Sequence, residues 1–361
     1  MKFLHILTFI LTFALFSCKN INSKNSSNTE ENLNDFRKTE IEKMSDFLRK
    51  YEVPSQKFKI SVDKPQQLKG KKGTRLFINP NDLETESGQA LGKSIEIELK
   101  ELTNQEHFLR TNVQTVSNGK LLVSGGAYYI NITSDGQNLR LKKGKKLSVD
   151  FGKFTNSKMS LFYGELDSLG KLNWRPSDIK FETKQKAYVV VSDTFQDKDG
   201  SIDGIFAYIN EESNRPISAE EKKEKEELKK NTTLADNLYK TLEIKQLGWI
   251  NCDRFYDIDN KTNLKFTFNS NVDITIANVY LIFKDINSLM QSSYFSYRDK
   301  EFNSSFENIP IGSKTTIIAF AIKDGKAYSY KKDLTIEPNK SIQLTLTATE
   351  EKEINKLFDI N

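Results

Sequence analysis

Apolar residues recur along this chain with two different periods, and the changes of period mark its elements. Residues 3–16 form an almost unbroken apolar run behind Lys2. Residues 19–32 are rich in Asn, Ser, Lys and Glu and hold almost nothing to bury, a composition that predicts a flexible tether. Over 33–51, Leu33, Phe36, Met44, Phe47, Leu48 and Tyr51 keep mostly helical spacing, and Pro54 closes the option of continuing. That spacing predicts an amphipathic helix packed on the domain that follows. The alternative is a helix laid on a membrane, although its polar face mixes Glu with Lys.

From residue 56 the period becomes two. Phe58-Lys59-Ile60-Ser61-Val62, Ile95-Glu96-Ile97-Glu98-Leu99 and Leu139-Arg140-Leu141 alternate between turn signals such as Asn79-Pro80-Asn81, Asn118-Gly119 and Asp135-Gly136. A second β-rich stretch starts near Ser160 and includes Leu172-Asn173-Trp174 and Ala187-Tyr188-Val189-Val190-Val191. Residues 211–230 are densely charged, and their opposite charges three and four apart predict an exposed helix. The period of two then returns, as in Leu264-Lys265-Phe266-Thr267-Phe268 and Ile342-Gln343-Leu344-Thr345-Leu346. Thr349, as an N-cap, starts a terminal helix ending near Phe358.

The expected fold class is mainly β and multidomain. Antiparallel sandwich-like modules are joined by a short N-terminal helix, a charged connecting helix and a short C-terminal helix. The expected organisation is a leader at 1–17, a tether at 18–32, a helical segment at 33–55 and a β-domain at 56–152. A second β-rich module at 153–210, a charged helical linker at 211–243 and a C-terminal sandwich with its helix at 244–361 complete it.

Composition narrows the chemistry. Of 361 residues, 37% are hydrophobic, with 24 Phe and 13 Tyr, enough to fill real cores. The net charge of +5 is spread among interleaved acids and bases, which argues against nucleic acid as a partner. Two cysteines and two histidines leave Cys252 and His107 as the sole thiol and imidazole beyond the leader and its Cys18. Any Ser-His-Asp, Cys-His or multi-histidine metal site must therefore use one imidazole or none, and no cofactor is expected.

The leader ends in Leu15-Phe16-Ser17-Cys18, which resembles the lipobox of bacterial lipoproteins. The apolar run is too short to span a bilayer, which needs about 20 residues. The resemblance implies cleavage before Cys18 and acylation of its thiol and new amine, so that Cys18 joins the chain to the lipid bilayer. The stretches Gly73-Thr74-Arg75-Leu76-Phe77-Ile78-Asn79-Pro80, Gly92-Lys93-Ser94-Ile95 and Leu121-Leu122-Val123-Ser124-Gly125-Gly126-Ala127 resemble the ZU5-like β-domain of Bacteroidetes cell-envelope lipoproteins. The run Leu247-Gly248-Trp249-Ile250-Asn251-Cys252-Asp253-Arg254-Phe255 is similar to a segment common in those proteins. The C-terminal part resembles the immunoglobulin-type sandwich of carboxypeptidase-regulatory-like domains. Some ZU5 proteins cleave themselves at His-Phe-Ser; here the triplet is His107-Phe108-Leu109, and leucine offers no nucleophile.

Five sets of residues are weighed as sites. Asp197, Asp199 and Gly200 take positions three, five and six of an EF-hand loop, but Phe195 and Phe206 stand at positions one and twelve. An acidic turn is the preferred reading, with Asp197, Asp199 and Asp203 as the calcium ligands otherwise. Asp253, Asp257 and Asp259 cluster beside Cys252 without diagnostic metal spacing. Trp174, Trp249 and the Tyr128-Tyr129 pair are either core or platforms for a sugar ring. Lys142, Lys143, Lys145 and Lys146 form either a solvated turn or a contact for an anionic surface. Asp167-Ser168-Leu169 resembles the O-glycosylation triplet of Bacteroidetes.

The function expected from these features is a non-enzymatic interaction or scaffold module on the outer membrane. Its periplasmic face is favoured over the cell surface, because the residues after Cys18 are basic and polar. The partner is an unidentified envelope protein or a glycan. Glycan or peptidoglycan binding is the alternative, and a carboxylate-based hydrolase the third.

Overall fold

The computed structural model describes residues 22–167, 170–182, 238–269, 273–297, 300–302 and 305–360. Helix α1 (Asn22–Leu48) runs into a 3-10 turn at Arg49–Tyr51, and the chain is extended from Glu52 on. Met44, Leu48 and Tyr51 of its apolar stripe are buried, as the spacing predicts. The expected tether is helical from Asn22 onward. Residues 22–32 carry no apolar stripe, so periodicity is blind to them. Extending a helix already nucleated by its packed end adds a hydrogen bond for each residue fixed. Among the described residues, no helix is long and apolar enough to cross a membrane.

Among the described residues, thirteen strands form the first unit. They are β1 (Gln56–Ser61), β2 (Gln66–Lys69), β3 (Arg75–Ile78), β4 (Leu83–Thr85), β5 (Ser94–Leu102), β6 (Val116–Ser117), β7 (Lys120–Ser134), β8 (Gln137–Leu141), β9 (Leu147–Asp150), β10 (Ser160–Leu166), β11 (Leu172–Lys180), β12 (Leu242–Ile244) and β13 (Gly248–Phe255). A short helix, α2 (Gln105–Arg110), lies between β5 and β6, its N-terminus capped by the Asn104 side chain. The larger sheet runs β1-β5-β7-β13-β10-β11, with β4, β6 and β8 attached; the smaller runs β12-β9-β3-β2. Leu76, Ile97, Tyr128, Ile130, Val149, Ile244 and Ile250 from the two sheets share one apolar core.

This topology corrects the expected boundaries. Strands β10 and β11, expected as a second module at 153–210, belong to the same sheet as β7 because β13 inserts between β7 and β10. The C-terminal sandwich, expected from residue 244, therefore starts after Phe255. Residues 238–243 of the expected helical linker are extended as well: Leu238 bridges Gly152, and β12 pairs with β9. Local periodicity identifies a strand but not its partner, and here the partners lie far apart in the chain. The rest of the charged connecting helix and the strands expected around residues 187–191 lie outside the described residues.

The second unit holds β14 (Lys261–Asn269), β15 (Ile276–Phe283), β16 (Ser288–Tyr297), β17 (Lys300–Phe302), β18 (Ser305–Pro310), β19 (Lys314–Lys323), β20 (Lys326–Thr335), β21 (Ser341–Thr345) and β22 (Thr347–Thr349). A three-stranded sheet β18-β14-β21 covers a six-stranded sheet β17-β16-β15-β19-β20-β22 around Phe266, Val279, Leu281, Phe306, Ile317 and Leu344. The β14–β21 pair is parallel, and the other pairs are antiparallel. Helix α3 (Glu351–Phe358) closes the fold. Its N-cap is Glu350, without a side-chain capping bond. Thr349 instead lies in β22, where its hydroxyl meets Ser329 Oγ at 2.6 Å.

A third apolar core joins the two units. Met44 and Leu48 from α1, Tyr51 from the 3-10 turn after it, Phe108 and Leu109 from α2, and Ile354, Leu357 and Phe358 from α3 pack with residues of both large sheets. Ring contacts at 5.6 Å between Phe47 and Phe320 and at 5.7 Å between Tyr51 and Phe358 fix α1 against β19 and α3. Strand β15 shows the consequence. Val279 and Leu281 point into the sandwich core while Tyr280 and Ile282 point into the shared core, so all eight residues are buried and no alternation is visible.

Candidate functional site

Strands β7 and β13 are joined through a bulge. Asn251 pairs with Ala127 and Asp253 with Ser124, so Gly125 and Gly126 together oppose Cys252 alone. Both glycines are required there. A Cβ on Gly125 would sit 3.0 Å from the Cys252 carbonyl oxygen, and Gly126 has φ +128°. The extra residue flips the faces of β7, sending Leu122 and Ala127 to the shared core and Tyr128 and Ile130 to the core of the first unit.

The bulge gathers a polar chain. Ser124 Oγ donates to Asn251 Oδ1 at 3.0 Å, and Asn251 Nδ2 donates to Asp253 Oδ2 at 2.6 Å. The Asn287 side chain of the second unit donates to the Ser124 carbonyl at 2.9 Å. Asp253 is fully buried and its Oδ1 has no partner. Burial therefore pushes its carboxyl well above the usual range, opposed by the neighbouring Ser124 and Asn251. On the other face, burial also pushes the Cys252 thiol up, opposed by Tyr239 beside it. A thiol held protonated in this way is a poor nucleophile and a poor metal ligand. Asp257 and Asp259 are exposed in the loop beyond, so they do not join Asp253. Among the described residues, no three metal-ligating side chains come together.

The two tryptophans touch without sharing a groove. Trp174 is completely buried and donates from Nε1 to the Gln114 carbonyl at 2.6 Å. It offers no face to a sugar, which corrects that candidate role. Trp249 is half-buried, edge-on to Trp174 at 6.5 Å and 5.0 Å from Tyr129. His107 lies in α2, where its Nδ1 accepts from the Thr103 N–H at 3.1 Å. Burial, and secondarily Lys72, push its pKa below the ordinary imidazole value. Three of the four turn lysines are engaged within the protein: Lys142 with the Asn81 carbonyl, Lys145 with Asp82 and Lys146 with Glu243.

A cleft of about 580 Å³ opens between the units, a volume within the range of ligand sites. Sequence reasoning missed it, because its walls come from residues 114–119, 167–173 and 290–307 and no local pattern joins them. Gln114 forms its base. Its Nε2 donates to the Leu172 carbonyl at 2.7 Å and its Oε1 accepts from the Gln291 N–H at 3.3 Å, tying one unit to the other. The Gln291 side-chain oxygen is buried without a partner. Lys171, half-buried on one wall, has its pKa lowered by burial, and the nearby Asp167 offsets this in part. Ser292, Ser305 and Glu307 line the opposite wall. The arrangement offers amides, hydroxyls, the Lys171 ammonium and the carboxylates of Asp167 and Glu307, which suits binding a polar ligand.

Cys18, Asp197, Asp199 and Asp203 lie outside the described residues, as do Ser168 and Leu169. No protein-family model matches the chain, and a search of curated proteins returns no match.

Proposed function

We propose that this chain is a lipid-anchored protein of the bacterial cell envelope, working as a non-catalytic interaction module of the ZU5-like lipoprotein type. The observation that carries the reading is the polar cleft between two β-units joined by a shared core. A cleft walled by two units keeps its shape only if the units cannot slide, and the helical core supplies that restraint. Acylation of Cys18 would place the anchor just before Asn22, where α1 begins. From Asn22 to Leu33, a helix rising 1.5 Å per residue spans roughly 17 Å. The body would then stand off the bilayer on a stiff connection, on the periplasmic face of the outer membrane.

Burial of Trp174 weighs against recognition of a glycan through paired tryptophans. The interaction reading is tested by crosslinking in cells followed by purification of the anchored chain. A defined envelope complex that disappears on deletion of the gene supports it. Recovery of the chain with no partner overturns it.

A further inference from the structure

We propose that Asn118 is a self-modification site. The Gly119 main-chain nitrogen attacks the Asn118 side-chain amide, ammonia leaves, and the fold holds the resulting aspartate through Asn173 and Arg175.

The turn supplies the reacting pair. Asn118-Gly119 is the one Asn-Gly step in the chain, and it forms the two-residue loop of the β6–β7 hairpin between the paired Ser117 and Lys120. Both loop residues are exposed. Gly119 brings no side chain to shield its nitrogen, and among the described residues its N–H donates to no main-chain acceptor outside the strands. Asn118 sits at φ 49°, and the attack needs its main chain to leave that region. An exposed loop of two residues opens at lower cost than a packed strand does.

The surroundings of the amide point to the chemistry. Asn173 Nδ2 and Arg175 Nη1, both from β11, donate to Asn118 Oδ1 at 3.2 Å each. Glu165 accepts from Arg175 Nε at 2.8 Å and so holds the guanidinium in place. Two donors, one of them charged, converge on the oxygen where negative charge develops as the nitrogen adds to Cγ. Among the described residues, the side-chain bonds of Asn118 all go to Oδ1 and none to Nδ2, so the leaving group is the part that the fold does not hold.

The step balances with water as its one co-reactant. The Gly119 nitrogen bonds to Cγ, the Cγ–Nδ2 bond breaks, and ammonia departs with the proton that the nitrogen gives up. Water then adds to Cγ of the five-membered imide and breaks the new Cγ–N bond, leaving aspartate on an intact main chain. Addition at the main-chain carbonyl instead would give isoaspartate and insert a carbon between the paired Ser117 and Lys120, against the register of the hairpin.

The product suits its position. Asp135-Gly136 between β7 and β8, and Asp324-Gly325 between β19 and β20, are two-residue loops of the same kind. Their φ angles are 48° and 77°, and 51° and 73°, against 49° and 76° at Asn118 and Gly119. Aspartate therefore already stands twice where Asn118 stands here. A carboxylate would keep both donors and turn the Arg175 contact into an ion pair. Gly119 lines the cleft between the units, so the new charge would lie at its rim.

The test incubates the purified full chain in detergent under mildly alkaline conditions. Peptide mass spectrometry follows each asparagine in the wild type, Arg175→Gln and Asn173→Ala. Thermal melting shows that the variants are folded and is also run on Asn118→Asp. The expected result is acid at position 118 ahead of every other asparagine, formed about tenfold more slowly in Arg175→Gln. Asn118→Asp should melt no lower than the wild type. An amide that stays intact at 118, a rate unchanged or raised in Arg175→Gln, or a lower melting temperature for Asn118→Asp overturns the proposal. If Arg175→Gln fails to fold, the rate in Asn173→Ala decides in its place, a fall supporting the proposal and an equal or higher rate overturning it.

Discussion

Trp174 and Gln114 are joined by a hydrogen bond of 2.6 Å, from the indole Nε1 to the main-chain carbonyl. The contact lies beneath the inter-unit cleft, so the largest buried side chain also positions the residue that bridges its walls. Replacing Trp174 with Phe would leave the Gln114 carbonyl without its donor, a loss of about 1–3 kcal/mol. Trp174→Ala should cost about 3–5 kcal/mol through the cavity it leaves. Trp249→Ala, at a half-buried position, should cost less. Urea unfolding of the three variants checks the order.

The double-glycine bulge makes a backbone prediction. Gly126 occupies φ +128°, a region that L residues enter only with strain of about 1–3 kcal/mol. Gly126→Ala should therefore destabilise by about that amount. Gly136→Ala, at a turn where a Cβ meets nothing within 4 Å, carries only the backbone part of the penalty. Equal or greater stability in Gly126→Ala would contradict the bulge geometry.

Asp253 makes the fold sensitive to alkali. Its folded-state pKa lies above the ordinary 3.8, so its contribution is full below that value and is lost as pH rises through the folded one. The wild type should accordingly lose melting temperature relative to Asp253→Asn as pH rises above 3.8. His107 acts on the acid side. Its folded pKa lies below 6.5, so its contribution is present above 6.5 and is lost as pH falls below it. His107→Gln should flatten that limb and leave the alkaline one unchanged. Melting curves across pH separate the two.

Most strands with one wet face were legible in the sequence. Ile95, Ile97 and Leu99 alternate with exposed or half-exposed residues because β5 meets the core on one side there. Strand β15 was recognisable as an apolar run, but nothing in it announced that both faces are covered. Pairing was illegible: β13 is separated from β7 by more than a hundred residues and carries no mark of its neighbour. The start of α1 was hidden because a polar helix and a polar coil read alike. The cleft was hidden for the same reason as the pairing, since Gln114, Lys171 and Gln291 meet only after both sheets are assembled.

Anchoring is checked separately. Cys18→Ala should move the chain from the membrane to the soluble fraction and remove the mass of the acyl chains. Protease shaving of intact cells should spare the wild-type protein if it faces the periplasm.

The cleft is proposed as the place where this protein meets its partner. A photo-crosslinking residue placed at Glu307, exposed on the cleft wall, tests it in living cells. One discrete adduct with another envelope component is expected, lost when Ser305→Trp is added. Crosslinks to no other component, or an adduct indifferent to Ser305→Trp, would contradict it.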